Sequence, residues 1–135
     1  MKFKKDHGGR ENYFPTKLKK DLTSDCVFRA IAIATNTDYL EVWKALFMIG
    51  MEIGHIPNEE RTYELYLKSK GWVKKSPFRK SNGRKYKLKN LPIKSNESYI
   101  FLTSSHLTAI VNGVHRDTWN CGPWCANSYY VKENK

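Results

Sequence analysis

Thr23-Ser24-Asp25-Cys26-Val27-Phe28-Arg29-Ala30-Ile31-Ala32-Ile33-Ala34 is the stretch whose reading decides the fold. Thr23, Ser24 and Asp25 are residue types that cap helix N-termini, and Val27, Ala30, Ile31 and Ala34 follow at helical spacing. The alanines favour helix over strand. Nearly the whole circumference is apolar, Arg29 excepted, so a buried helix is expected, stopping near Thr35-Asn36. Cys26 falls in its first turn. A thiol reacts as thiolate, and a helix N-terminus or a neighbouring imidazolium lowers its pKa from the ordinary ~8.5. Cysteine in a helix is also common as small core filler, so position alone leaves both roles open.

Working outward, a second helix is expected from Thr37 or Asp38 through Leu40, Val42, Trp43, Leu46 and Phe47, with Asp38 and Glu41 as a capping pair. Residues 50–57 read as a connector. Asn58 stands as the cap of a third helix, Glu59 to Lys70, which Gly71 closes. Upstream, residues 1–20 read as an irregular basic arm, because Gly8-Gly9 and Pro15 oppose regular structure. Downstream of Ser98 the pattern becomes strand-like, at Tyr99 to Leu102, Leu107 to Val111, Val114 to Trp119 and Ser128 to Val131. Helices first and an antiparallel sheet after them define an α+β class.

Asn112-Gly113 suits a two-residue type I′ hairpin turn. With that turn Val111 faces Val114, Thr108 faces Asp117 and His106 faces Trp119. Side chains alternate along a strand, so His106, Thr108, Asp117 and Trp119 share one face, and Leu107, Ala109 and Val111 take the other, toward the core. His106 and Asp117 become diagonal neighbours roughly 7–8 Å apart at Cα. A carboxylate so placed fixes an imidazole tautomer and stabilises the imidazolium. Trp119 would keep water off the pair. His115 has the same parity as Asp117 and competes with His106 for the histidine role.

The chain has 135 residues and a formal charge of +11, and the excess is local. From Leu65 to Asn96 there is no Asp or Glu but 11 of the 24 basic residues. Lys74, Lys75, Arg79, Lys80, Arg84, Lys85, Lys87 and Lys89 form a candidate anion-binding segment for an acidic protein or peptide, nucleic acid or a membrane surface. Trp72, Phe78 and Tyr86 interleave with these cations as candidate base-stacking rings. A hydrophobic fraction of 40% excludes a disordered chain, and no apolar run is long enough to insert into a membrane. Three cysteines and no signal-like N-terminus point to the cytoplasm. Cys121-Gly122-Pro123-Trp124-Cys125 lacks redox spacing and gives zinc too few ligands, so it reads as a turn. No metal or cofactor is expected.

Asp25-Cys26 with the apolar helix behind it, followed much later by His106-Leu107-Thr108-Ala109-Ile110-Val111-Asn112-Gly113 and Asp117-Thr118-Trp119, resembles small papain-like cysteine peptidase-fold proteins common in phages and prophages. The resemblance covers about residues 21–47 and 98–131. It implies a single papain-like domain over 21–135 with a basic insertion at about 72–96, acting in the cytoplasm of a host cell if phage-encoded. It also implies a Cys26, His106 and Asp117 triad of a thiol hydrolase or acyl-transfer enzyme, of peptidase or amidase type. There is one departure. Papain-like peptidases place a Gln before the cysteine to bind the oxyanion, and this chain has no Gln. The oxyanion would have to be bound by the Cys26 backbone N–H plus a group from the arm, such as Asn12, Thr16 or Thr23. Two other outcomes remain open: an inactive inhibitor on the same fold, and a basic nucleic-acid-binding protein.

Overall fold

The apolar run that begins at Cys26 forms helix α1 (Cys26–Thr35) in the computed structural model, which describes residues 1–14 and 23–133. Asn36 ends α1 by taking a left-handed φ of 52°. Helix α2 (Tyr39–Ile53) runs past Phe47, where the sequence pattern stops it. Gly50 is the reason. It lies inside the helix where the chain folds back closely, so that a Cβ there would come within 2.5 Å of the His55 carbonyl oxygen. Helix α3 (Glu60–Ser69) follows, with Gly71 at φ 84° behind it. Asp25, Asp38 and Glu59 hold the N-cap positions, but none of them caps through its side chain. Asn58 therefore precedes the cap of α3 rather than forming it.

Six strands make one sheet: β1 (Lys2–Lys5), β2 (Trp72–Lys75), β3 (Ser98–Leu102), β4 (Leu107–Val111), β5 (Val114–Asp117) and β6 (Tyr129–Lys132). Their order is β1-β5-β4-β3-β6-β2. The sheet is mixed rather than antiparallel, because β1 runs parallel to β5 and pairs Lys2 with Val114 through Lys5 with Asp117. This corrects the irregular reading of the first residues. Lys2-Phe3-Lys4-Lys5 carries too few side chains to show a pattern, and the edge of β5 supplies its hydrogen bonds. The β4–β5 hairpin has the register expected from its turn, with Val111 on Val114, Ile110 on His115 and Ala109 on Arg116. Asn112 and Gly113 take φ 51° and 76°, as a type I′ turn requires.

Both sheet faces are covered. On one, α1 lies across β3, β4 and β5, α3 lies against β2, and α2 packs against α1 and α3. Ile31, Val42, Leu46, Leu67, Ile100, Ala109 and Tyr130 are sealed in that core. On the other face the basic stretch itself forms the cover: Leu88 and Leu91 pack with Tyr99, Phe101, Ile110, Cys121 and Ala126. Residues 72–96 thus supply both an edge strand and a lid of apolar side chains, while their cations point outward. Trp72 is only 5% exposed, which removes it as a stacking platform for bases. Phe78 is committed to Tyr129, their rings stacked at 4.8 Å and 9°.

Candidate active site

The N-terminus of α1 arrives at the end of the sheet where β4 begins. Cys26 is the first residue of α1 and half-buried. His106 stands one residue before β4, where its ring meets Asp117 and Trp119. Asp117 is the last residue of β5. The two elements that carry His106 and Asp117 are joined by a turn with one conformational solution, and both pack on the helix that carries Cys26. Cys26 and His106 line two cavities together. One, of about 220 Å³, lies toward α3 and the β3–β4 loop. The other, of about 360 Å³, lies toward Thr23, Ser24, Arg29, Thr118 and Trp119.

Asp117 is held from four directions. Its Oδ2 lies 2.6 Å from His106 Nε2 and accepts from Thr108 Oγ1 at 2.6 Å. Its Oδ1 accepts from the Thr118 N–H at 2.6 Å, and Arg29 Nη2 lies 3.8 Å away. Burial pushes the Asp117 carboxyl up, but the hydrogen bonds and positive charge around it hold it below the usual range. Burial pulls the His106 imidazolium down. Hydrogen bonds to Asp117, Cys121 and Cys26, together with the Asp117 charge, outweigh that and push it up to about 11. Burial raises the Cys26 thiol, yet hydrogen bonds from His106 and the Leu107 backbone, with the His106 charge, leave it lowered. With Nε2 turned to Asp117, Nδ1 is the ring atom free to serve the thiol. The arrangement favours a thiolate–imidazolium pair backed by a carboxylate.

Two supports escaped the sequence reading. Asp25, only 2% exposed, does not cap α1; it accepts from Thr23 Oγ1 at 2.5 Å, Tyr39 OH at 2.6 Å and Arg10 Nη1 at 3.1 Å, and pairs with Arg29 Nη1. Arg29 also reaches Asp117, so one buried guanidinium ties the start of α1 to the end of β5. The signal was present: a lone charge on an apolar helix, four residues after an Asp. Cys121 is the second. It is fully buried, with Sγ 3.5 Å from His115 Nε2 and 4.0 Å from Asp117 Oδ2. Nothing in its Gly-Pro context announces this, because the packing comes from a loop folding over the second sheet face.

His115 is buried behind the pair, against Thr108 at 2.9 Å, and burial lowers its pKa. Thr108 donates its hydroxyl hydrogen bond to Asp117, so it accepts from His115 Nε2–H, while burial favours the neutral form of that ring. His115 lines neither cavity beside Cys26. The Trp119 ring lies 4.9 Å from that of His106 and 5.2 Å from Trp124. Thr23 lines the larger cavity, but its hydroxyl is spent on Asp25. Asn12 is exposed in a short 3₁₀ turn and lines neither cavity, and Thr16 falls outside the described residues. None of the eight cations lines these cavities, although Lys74 touches a lining residue, Glu60 of the smaller one. Lys85 binds Asn127 Oδ1 at 2.7 Å and Lys74 pairs with Glu60 at 2.8 Å; Lys75, Arg79, Lys80, Arg84, Lys87 and Lys89 are exposed.

His106, Asp117 and Cys121 offer ligand atoms within 4.8 Å of one another. The 2.6 Å between His106 Nε2 and Asp117 Oδ2 is a hydrogen-bond spacing, shorter than the ~3.3 Å between two ligands each held ~2 Å from a tetrahedral ion. Cys125, the other thiol of the loop, is exposed. No protein-family model, curated protein or solved structure matches this chain.

Proposed function

We propose that this protein is a papain-like thiol hydrolase or acyl-transfer enzyme. The observation that carries the reading is His106, held at 2.6 Å by the Asp117 carboxylate and set against the Cys26 thiol at the start of a buried helix. The order of parts, a helix-start cysteine followed by His and Asp on successive strands, supports the papain-like assignment. Cys26 Sγ attacks an amide or ester carbonyl carbon, and the C=O electron pair moves to oxygen. When the C–S tetrahedral adduct collapses, the imidazolium of His106 gives its proton to the departing amine and a thioester remains. His106, now neutral, takes a proton from water, which attacks the thioester and releases the acid. Asp117 keeps the ring oriented through both steps.

Iodoacetamide labelling below pH 7 tests the reading. Cys125 is the exposed thiol and Cys26 only half-exposed, so accessibility alone would label Cys125 first. Activation reverses that order, and His106→Ala restores it. Equal labelling of Cys26 and Cys125 in the wild type would refute the proposal.

The exposed cations between 74 and 89 favour a second role, docking an acidic protein, peptide or nucleic acid at a surface apart from the thiol. Binding of such a polyanion should weaken steeply with salt and survive Cys26→Ala. Among the described residues no helix is long and apolar enough to cross a membrane.

A further inference from the structure

Attack on a carbonyl places a negative charge on oxygen, and that charge needs donors waiting for it. The first turn of a helix has N–H groups without intrahelical partners, and a cap side chain commonly takes one of them. Here the cap residue does not. The Asp25 carboxylate is occupied by Thr23, Tyr39, Arg10 and Arg29, and makes no cap bond. Among the described residues the N–H groups of Cys26 and Val27 have no partner. A helix end alone does not define a binding site, because water satisfies such groups just as well.

The second observation comes from α3. Tyr63 is 5% exposed and lines the 220 Å³ cavity with Cys26, Val27 and His106. The ring is buried, while the hydroxyl oxygen at its tip still reaches the cavity. The Tyr63 hydroxyl has no hydrogen-bond partner among the described residues, although the neighbouring Tyr130 hydroxyl binds Glu60 at 2.8 Å and Glu64 at 3.2 Å. Burial, then the charges of Glu60, Cys26 and Glu64, raise the Tyr63 pKa, so the group stays a protonated donor beside the thiolate. An unspent hydroxyl donor therefore lines the same open cleft as the two residues with unspent amides, next to the nucleophile.

We infer that Tyr63 is a catalytic residue whose hydroxyl, with the Cys26 N–H, forms the oxyanion site of this protein. The inference rests on the acyl-transfer reading above. As the C–S bond forms, the carbonyl π pair moves to oxygen and accepts hydrogen bonds from Tyr63 and Cys26. As the adduct collapses, the pair returns to re-form C=O while the leaving group departs with the bonding electrons. Tyr63 gives up no proton in either direction. The hydroxyl takes the part of the Gln that this sequence lacks.

Tyr63→Phe keeps the ring and removes only the donor. p-Nitrophenyl acetate serves as acyl donor, because thiolate attack expels p-nitrophenolate and leaves an acetyl thioester. Iodoacetamide serves as the control, because its alkylation by displacement builds no oxyanion. The expected result is acylation slowed about 100-fold with alkylation of Cys26 unchanged. Unchanged alkylation also shows that the variant is folded and its thiolate intact. Equal acylation by wild type and Tyr63→Phe overturns the inference. A parallel loss of alkylation also overturns it, since the hydroxyl would then act on the thiol. A wild type no faster than Cys26→Ala overturns the acyl-transfer reading itself, a result distinct from either.

Discussion

Replacing Asp25 with Ala should lower thermal stability by a margin that can be worked from its contacts. The carboxylate is buried and accepts from Thr23, Tyr39 and Arg10, besides pairing with Arg29. Removing it takes from Arg29, whose side chain is 7% exposed, the carboxylate paired with it four residues back, and leaves the Asp117 carboxylate 3.8 Å off. Breaking a buried ion pair from one side costs about 3–5 kcal/mol, because the remaining charge stays out of water. Unfolding entropy of ~2.1 cal/mol/K per residue near 60 °C gives a chain of this length about 3.5 °C of Tm per kcal/mol. The expected fall is therefore on the order of 10–18 °C, read by circular dichroism on heating. Asp25→Asn, which keeps an acceptor oxygen, should fall between wild type and Asp25→Ala. If both variants melt within about 2 °C of wild type, the cluster is not the buried ionic clamp described here.

The site should also respond to pH with a defined sign. His106 is raised from an ordinary ~6.5, so its contribution to stability is complete below that value and declines as pH climbs toward about 11. Asp117 is lowered, so its contribution fades as pH falls through and below ~3.8. Denaturant unfolding of wild type against His106→Ala should show the gap between them narrowing with rising pH; a widening gap would contradict the assignment. At pH 7 an ordinary thiol is only a few per cent thiolate, so His106→Ala should slow iodoacetamide alkylation of Cys26 by up to ~30-fold, as measured by mass spectrometry. Gly113→Val should destabilise by more than ~1 kcal/mol in urea, because φ 76° at the hairpin turn strains a branched residue. Cys121 should resist alkylation until denaturant is added, because no part of it is exposed.

The sequence carried the helix start, the hairpin register and the pairing of His106 with Asp117, because each follows from a local rule: capping chemistry, a turn dipeptide, alternation. It did not carry what depends on chain segments meeting from afar. β1 is four residues with one apolar side chain, and only the open edge of β5 makes it a strand. The basic stretch hid the second core, since Leu88 and Leu91 are scattered among lysines in a segment with almost no regular structure. Asp25 was read as a cap, a sound inference from type and position, but Arg29 four residues on competes for the same carboxylate and wins it. Tyr63 shows no signal at all in sequence. It is one of two tyrosines on an amphipathic helix, and only tertiary packing brings it to the cavity beside the thiol.

The parallel pairing of β1 with β5 sets an order of events during synthesis. The strand made first finds its partner only after residue 117 has been made, and Cys26 waits equally long for His106. A growing chain stopped anywhere before the hairpin carries an ordinary, weakly nucleophilic thiol on an unanchored helix. Cys26 cannot meet the His106–Asp117 pair before the hairpin has been made. The hairpin that receives β1 also brings Asp117 to the Arg29 guanidinium, and β6 then joins β3 to β2 to complete the sheet.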